Sequence, residues 1–113
     1  MPRKWRGHSE RPSGDDTGSI ARVAVGIVDL HLPDVGSLKG KRHALKGLKE
    51  RVRARYEVSV AEVDHHDLWQ RATLALACVS HDSRHANEVV SKAMDFIEEH
   101  VEGRVIDTSV EIL

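Results

Sequence analysis

The hydrophobic periodicity of this sequence changes several times along the chain, and the order of the changes restricts the fold more than any other feature. Runs rich in Val, Ile and Thr predict strands, whereas apolar residues spaced by three and four predict amphipathic helices. The resulting order is strand, helix, strand, strand, helix, strand. The predicted segments cover residues 20–32, 38–55, 57–63, 73–79, 83–101 and 104–113.

Both predicted helices have recognisable ends. Ser37 is the expected N-cap of the first, in which Leu45, Leu48 and Val52 form the apolar stripe. Asp82 or Ser83 caps the second, and Gly103 ends it. The last strand is expected to alternate, with its apolar and polar residues on opposite faces. One face would carry Ile106, Val110 and Ile112, and the other Val105, Asp107, Ser109 and Glu111.

This order predicts an α+β fold, a ferredoxin-like βαββαβ sandwich in which a four-stranded sheet carries two helices on one face. Right-handed crossovers would place strands one and three side by side and parallel at the centre, with strands two and four at the edges. We then expect His31 and His81 at the sheet end that holds both helix N-termini. The polar loop Asp64–Asp67 would lie at the opposite end.

The 113 residues allow one small domain. Residues 1–20 lack periodicity and are rich in Gly, Ser, Pro, Arg and Asp, so we predict a disordered tail followed by a domain over residues 21–113. No apolar run approaches the ~18 residues that span a bilayer, and no secretory signal is recognisable. Cys78 is the only cysteine, which excludes an internal disulfide. We therefore expect a cytoplasmic protein without membrane association.

Several motifs occur in an order and spacing that resemble one known family. They are Ser37-Leu38-Lys39-Gly40-Lys41-Arg42, Val58-Ser59-Val60-Ala61-Glu62-Val63-Asp64, Asp67-Leu68-Trp69-Gln70-Arg71-Ala72 and Ala77-Cys78-Val79-Ser80. Together they resemble the bacterial YlxP-like family, domain-of-unknown-function family five hundred and three, over roughly residues 22–113. The resemblance implies a ferredoxin-like domain without an established activity. Its link to translation, through neighbouring genes, is implied by association only.

Charge is concentrated on the first helix. Residues 39–55 hold eight Lys and Arg side chains and one Glu, a net charge of +7 in a chain whose net charge is −1. Such a helix is suited to phosphate contacts with ribosomal RNA or the small ribosomal subunit. The alternative is a solvated helix that pairs with Asp95, Glu98, Glu99 and Glu102 of the second helix. The predicted nucleic-acid-binding residues are Lys39, Lys41, Arg42, Lys46, Lys49, Arg53 and Arg55.

Two smaller candidate sites lie at the sheet end that is expected to hold both helix N-termini. Ser37, Lys39 and Lys41, with the free N–H groups of the first helix, predict an anion site. His31, His81 and His85 would approach one another there, but they match no metal motif, so neither metal nor cofactor is predicted.

Catalysis is not expected, because no nucleophile is accompanied by a base and Cys78 is more consistent with the core. The chain is thus predicted to be a non-enzymatic binding module. A small-molecule or metal-dependent enzyme using His31 and His81 is a weaker rival.

A protein-interaction module is the rival from a different class. The two central strands are apolar on both faces although helices cover only one, so the open face would support a homodimer or another protein contact. Trp69 is then the expected partner-binding residue, since interfaces favour aromatic anchors, and the alternative is that it caps the end of the core. In this alternative the basic helix has no nucleic-acid role.

Overall fold

The computed structural model describes residues 20–113, so the predicted tail lies outside the described residues except for Ile20. The predicted order of elements and the ferredoxin-like fold are confirmed. Within residues 20–113 there is no helix of the length and hydrophobicity needed to span a membrane. The elements are β1 (Arg22–His31), α1 (Leu38–Arg55), β2 (Ser59–Asp64), β3 (Arg71–Ser80), α2 (Ser83–His100) and β4 (Arg104–Ile112).

The sheet has the order β2-β3-β1-β4, and every neighbouring pair is antiparallel. The prediction that β1 and β3 are parallel is wrong. The chain runs along β1, returns through α1, runs along β2 and reverses at the hairpin, so β3 must oppose β1. His31 therefore pairs with Arg71, and Arg22 pairs with Ser80 at the far end.

This direction changes which loops are neighbours. The α1 N-terminus lies at the His31 end of the sheet, whereas α2 begins at the Ser80 end, so the two helix N-termini do not meet. The loop from Asp64 to Asp67 shares the His31 end, contrary to the expectation that it lies opposite. His81 follows β3 at the far end.

Both helices pack on one face of the sheet, and Gly26 lets α2 approach β1 closely. A Cβ atom built at Gly26 would lie 2.5 Å from Met94 Sδ and 2.6 Å from Val90 Cγ1. The hydrophobic core lies between the helices and this face. Its completely buried residues include Ala24, Val28, Leu30, Val52, Ala72, Leu74, Leu76, Ala86, Val90, Ala93 and Ile97.

The predicted alternation of β4 is interrupted by a bulge. Asp107 pairs with Asp29 but Val105 pairs with the next residue of β1, Leu30, so Ile106 is the extra residue. Val105 therefore shares the helix-covered face and is half-buried, whereas Ile106 is exposed. The prediction grouped Ile106 with Val110 and Ile112, but the bulge places Val105 on their face instead.

Neither α1 nor α2 packs on the other face of the sheet. Its centre is apolar, with Val25 and Ile27 of β1 half-buried and Val79 of β3 exposed. We call this surface the open sheet face.

Candidate nucleic-acid interface

Helix α1 starts where the sequence predicts and carries cations along one side. Ser37 accepts a hydrogen bond from the Gly40 N–H (2.9 Å) and caps the helix. Five cations then follow at spacings of three and four residues, which keeps them on one side of a helix. We call these residues the basic stripe: Lys39, Arg42, Lys46, Lys49 and Arg53.

The basic stripe borders the edge strand β2. Arg53 Nη2 donates to the Val60 carbonyl oxygen (2.6 Å), which places this end of the stripe against β2. Lys39, Arg42, Lys46 and Arg53 are exposed, and Lys49 is half-buried. Lys39 and Arg53, at the two ends of the stripe, are fourteen positions apart, so the stripe is ~21 Å long.

Arg55, also predicted to bind nucleic acid, lies apart from the stripe. Its guanidinium carbon is 4.9 Å from the centre of the Phe96 ring, and that of Arg51 is 5.7 Å from it. Phe96 belongs to α2, so these two arginines face the other helix and make cation–π contacts there. The cations of α1 thus divide between two sides of the helix.

The basic stripe forms no ion pair with any of the described residues. The ion pairs in that part of the chain are Lys41–Glu62 and Lys92–Glu88. The ion pairs expected between the basic helix and the acids of α2 (Asp95, Glu98, Glu99 and Glu102) are therefore not found among the described residues. Glu50, one helical turn from Lys46 and from Arg53, is the one acidic residue of α1, so the five closely spaced cations create a net positive potential along the β2 side of this helix.

Lys41 does not belong to this surface, which corrects its prediction as a phosphate contact. It is 1% exposed, and its ammonium lies 2.9 Å from Glu62 Oε2. It also donates to the carbonyl oxygens of His65 (2.7 Å), His66 (3.3 Å) and Arg71 (3.2 Å). The sequence held a signal for this, because Lys41 precedes Leu45 by four residues and continues the buried stripe of α1.

The predicted anion site at the start of α1 does not form as expected. The Ser37 hydroxyl accepts the Gly40 N–H, and the Lys41 ammonium is enclosed by its four partners. Of the three predicted residues, Lys39 alone presents a charge to solvent. It continues the basic stripe and does not form a separate site.

The predicted approach of His31 to His81 and His85 is also wrong. His31 ends β1, whereas His81 and His85 lie beyond the opposite end of the antiparallel β3, a separation of ~30 Å along a ten-residue strand. In the part of the chain that the structure describes, no group of three His, Cys, Asp or Glu side chains is placed to hold a metal ion.

The β2–β3 loop, residues 65–70, presents apolar side chains from a tightly held backbone. Leu68 is 46% exposed and Trp69 is 53% exposed. Gln70 Nε2 donates to the carbonyl oxygens of Pro33 (3.0 Å) and Val35 (3.2 Å), and the Leu32 N–H donates to the Gln70 carbonyl oxygen (2.9 Å). Lys41 of α1 holds the first two residues of the loop, His65 and His66, by their carbonyl oxygens. The loop is thus fixed both to α1 and to the connection between β1 and α1.

Two side chains of β3 that could act as nucleophiles, Thr73 and Cys78, are buried. The Thr73 hydroxyl donates to Asp29 Oδ1, and Nδ1 of His65 lies 2.9 Å from the same hydroxyl oxygen. Because the Thr73 hydroxyl donates its hydrogen to Asp29, its oxygen can only accept from His65. We therefore place a proton on Nδ1 of His65, which donates to that oxygen. Cys78 is 4% exposed, and desolvation by burial, followed by the charge of Glu57, raises its pKa above the ordinary 9.0. The surroundings of Thr73 and Cys78 are therefore those of residues that stabilise the fold.

Two comparisons of sequence relate the chain to known proteins. The model of a family described as "Protein of unknown function (DUF503)" matches residues 23–110. The chain is also similar to the "Uncharacterized protein YlxP" of Bacillus subtilis (strain 168). The two are 35% identical over 65 residues, which are 58% of this chain and 71% of the relative.

Among solved structures, the chain is similar to a de novo designed protein with a ferredoxin fold, determined by solution NMR. The TM-score is 0.46 and the sequence identity 12%, with 81% of this chain and 82% of the designed chain covered. The ferredoxin-like assignment itself rests on the strand order and helix placement of this chain.

Proposed function

The chain belongs to the DUF503 family of proteins of unknown function, and from this premise we propose that it is a cytoplasmic, non-enzymatic RNA-binding module with a translation-linked role. Its ligand would be ribosomal RNA, in the small ribosomal subunit. The single observation that carries the proposal is the basic stripe, five cations that form no ion pair with any of the described residues.

The stripe is suited to phosphates and not to bases. Lys and Arg at one-turn intervals along ~21 Å match a polyanion, and their contacts release condensed counterions. The open sheet face offers no stacking platform, because β1 and β3 contain no Phe, Tyr or Trp. Structured RNA, which presents its backbone on the outside, is therefore the class of ligand proposed for this surface.

The test is RNA binding across a salt series by the wild-type chain and by a variant carrying Lys39→Glu, Arg42→Glu and Lys46→Glu. These three side chains are exposed, and the buried Lys41 is left intact, so the fold is preserved. Five phosphate contacts predict a log–log slope of about −3.5 to −4.5. The probes are small-subunit particles and their naked ribosomal RNA.

A matched control variant carries Arg84→Glu, Lys92→Glu and Arg104→Glu, three exposed cations outside α1. Both variants have the same net charge. Loss of binding in the stripe variant alone, with the control close to wild type, supports the proposal. Equal behaviour of the two variants overturns it, because net charge and not the stripe would then govern binding.

The open sheet face supports a second candidate, homodimerisation without a nucleic-acid role. Val79 is 69% exposed and pairs with Val23 of β1, on the same face as the half-buried Val25 and Ile27, an apolar surface of a kind that marks interfaces. Sedimentation velocity of the wild-type chain and of a Val79→Ser variant tests it. A wild-type dimer that the variant converts to monomer supports this candidate, and a wild-type monomer at high concentration rejects it.

A further inference from the structure

Trp69 stands at the Lys39 end of the basic stripe. Helix α1 runs beside β2 in the opposite direction, so Arg53 contacts Val60 near the start of β2 while Lys41 reaches Glu62 and the loop beyond. The Gln70 side chain, next to Trp69, binds the connection that leads into the α1 cap. A polyanion that follows the stripe toward the α1 N-terminus therefore arrives at the β2–β3 loop.

The loop that carries Trp69 is held more firmly than an exposed loop requires. Its backbone carbonyls are bonded to Lys41, and the Leu68 N–H donates to the His65 carbonyl oxygen (3.1 Å). His65 itself adopts a left-handed conformation with φ = 63°, which is uncommon for a residue other than glycine. A large aromatic ring on such a fixed loop loses little entropy on binding.

The surroundings of Trp69 combine an aromatic face with the side chain of an arginine. A shallow depression is lined by Asp67, Leu68, Trp69, Gln70 and Arg71. Within residues 20–113, Nε of Arg71 is buried and has no hydrogen-bond partner. An aromatic ring and an arginine that line one depression, at the end of the surface proposed to contact phosphates, are a combination with which proteins hold unstacked bases.

We propose that the depression around Trp69 binds one unpaired nucleobase, which stacks on the indole ring while the adjoining RNA helix lies along the basic stripe. The site deepens the proposed function and rests on it. It adds a specificity that phosphate contacts alone do not supply: the preferred RNA has a bulged or looped-out nucleotide beside a helical segment. Charge complementarity favours RNA over a protein at this position, because the neighbouring stripe is cationic.

The test uses two synthetic RNA hairpins with identical stems, one with a single bulged adenosine and one fully paired. The protein is the full chain with Trp5→Phe, which leaves Trp69 as its only tryptophan. We expect the bulged hairpin to quench Trp69 fluorescence and the paired hairpin to leave it nearly unchanged. Removing the ring with Trp69→Ala should weaken binding of the bulged hairpin by about 5- to 150-fold, and that of the paired hairpin by less than about twofold.

Leu68→Ala is the matched control, because it removes the other exposed apolar side chain of the same loop. It should leave the affinity for both hairpins unchanged. Trp69→Phe keeps an aromatic face and should retain most of the preference for the bulge.

The outcomes separate this inference from the proposed function. If Trp69→Ala affects both hairpins equally, or neither, the base site is overturned, while the charge-reversal series still decides whether the stripe binds RNA. If no RNA binds at any salt concentration, both fail. If Trp69→Ala abolishes binding to small-subunit particles but not to naked RNA, the loop contacts a protein and the base site is overturned.

Discussion

The ammonium of Lys41 and the carboxylate of Glu62 form an ion pair of 2.9 Å between α1 and β2, with side-chain exposures of 1% and 15%. The same ammonium bonds to three carbonyl oxygens of the segment around the β2–β3 loop. One side chain thereby links the helix that carries the basic stripe to the loop that carries Trp69. The relative positions of the two proposed contact surfaces depend on this pair.

Replacing Lys41 with Met should lower the free energy of unfolding by about 3–5 kcal/mol, because Glu62 and three carbonyl groups lose their buried cation. Denaturant unfolding measures the change. Lys46→Met, on the exposed side of the same helix, should remain within about 0.5 kcal/mol of wild type. Adding Glu62→Leu to Lys41→Met should recover part of the loss. A cost below about 1 kcal/mol for Lys41→Met would contradict the role assigned to the pair.

Two glycine substitutions should have opposite effects on stability. Gly26→Ala places a methyl group against Met94 and Val90, so we expect a loss of about 1–3 kcal/mol from overpacking. Gly47→Ala, in the middle of α1, meets no atom within 4 Å and should stabilise the chain by up to about 1 kcal/mol. Thermal unfolding of the two variants side by side checks both signs. Equal effects on stability would show that α2 can move away from β1 to accommodate a methyl group at Gly26.

The Thr73 hydroxyl should stabilise the folded chain through its hydrogen bonds to Asp29 and His65. Thr73→Val keeps the shape of the side chain but leaves Asp29 and His65 without their shared hydroxyl, which should cost about 1–3 kcal/mol. Thr108→Val is the matched control, since Thr108 is exposed on β4. Chemical denaturation compares the two variants. A neutral Thr73→Val would mean that water satisfies both partners equally well.

Burial of Cys78 predicts a loss of stability at alkaline pH. Its pKa is raised in the folded state, so the folded chain holds the thiol proton more tightly than the unfolded chain does. The stabilisation is complete below the unfolded pKa and is lost as pH rises from there through the folded pKa. Unfolding free energies at pH 7 and pH 10 should differ more for wild type than for Cys78→Ala. An identical pH dependence would contradict this reading.

Local features of the fold were predictable because they depend on residues close in sequence. The bounds of α1, from Leu38 to Arg55, follow from the Ser37 cap and the apolar spacing. The placement of Cys78 in the core follows from the small apolar residues around it. The direction of β3 also followed from the order of elements, and the parallel prediction was an error of topology. The β4 bulge was not predictable, since it depends on pairing with β1.

The candidate site divides in the same way. The sequence alone determined that α1 is strongly basic, because charge and helical spacing are read along the chain. Only the tertiary structure decided which cations remain available, since this depends on neighbours distant in sequence. Lys41 meets the loop 24 residues away and is enclosed, Arg55 meets Phe96 of α2, and the five stripe residues form no ion pair with any of residues 20–113. The physical reason is that burial and ion pairing arise from through-space contacts, which hydrophobic periodicity does not specify.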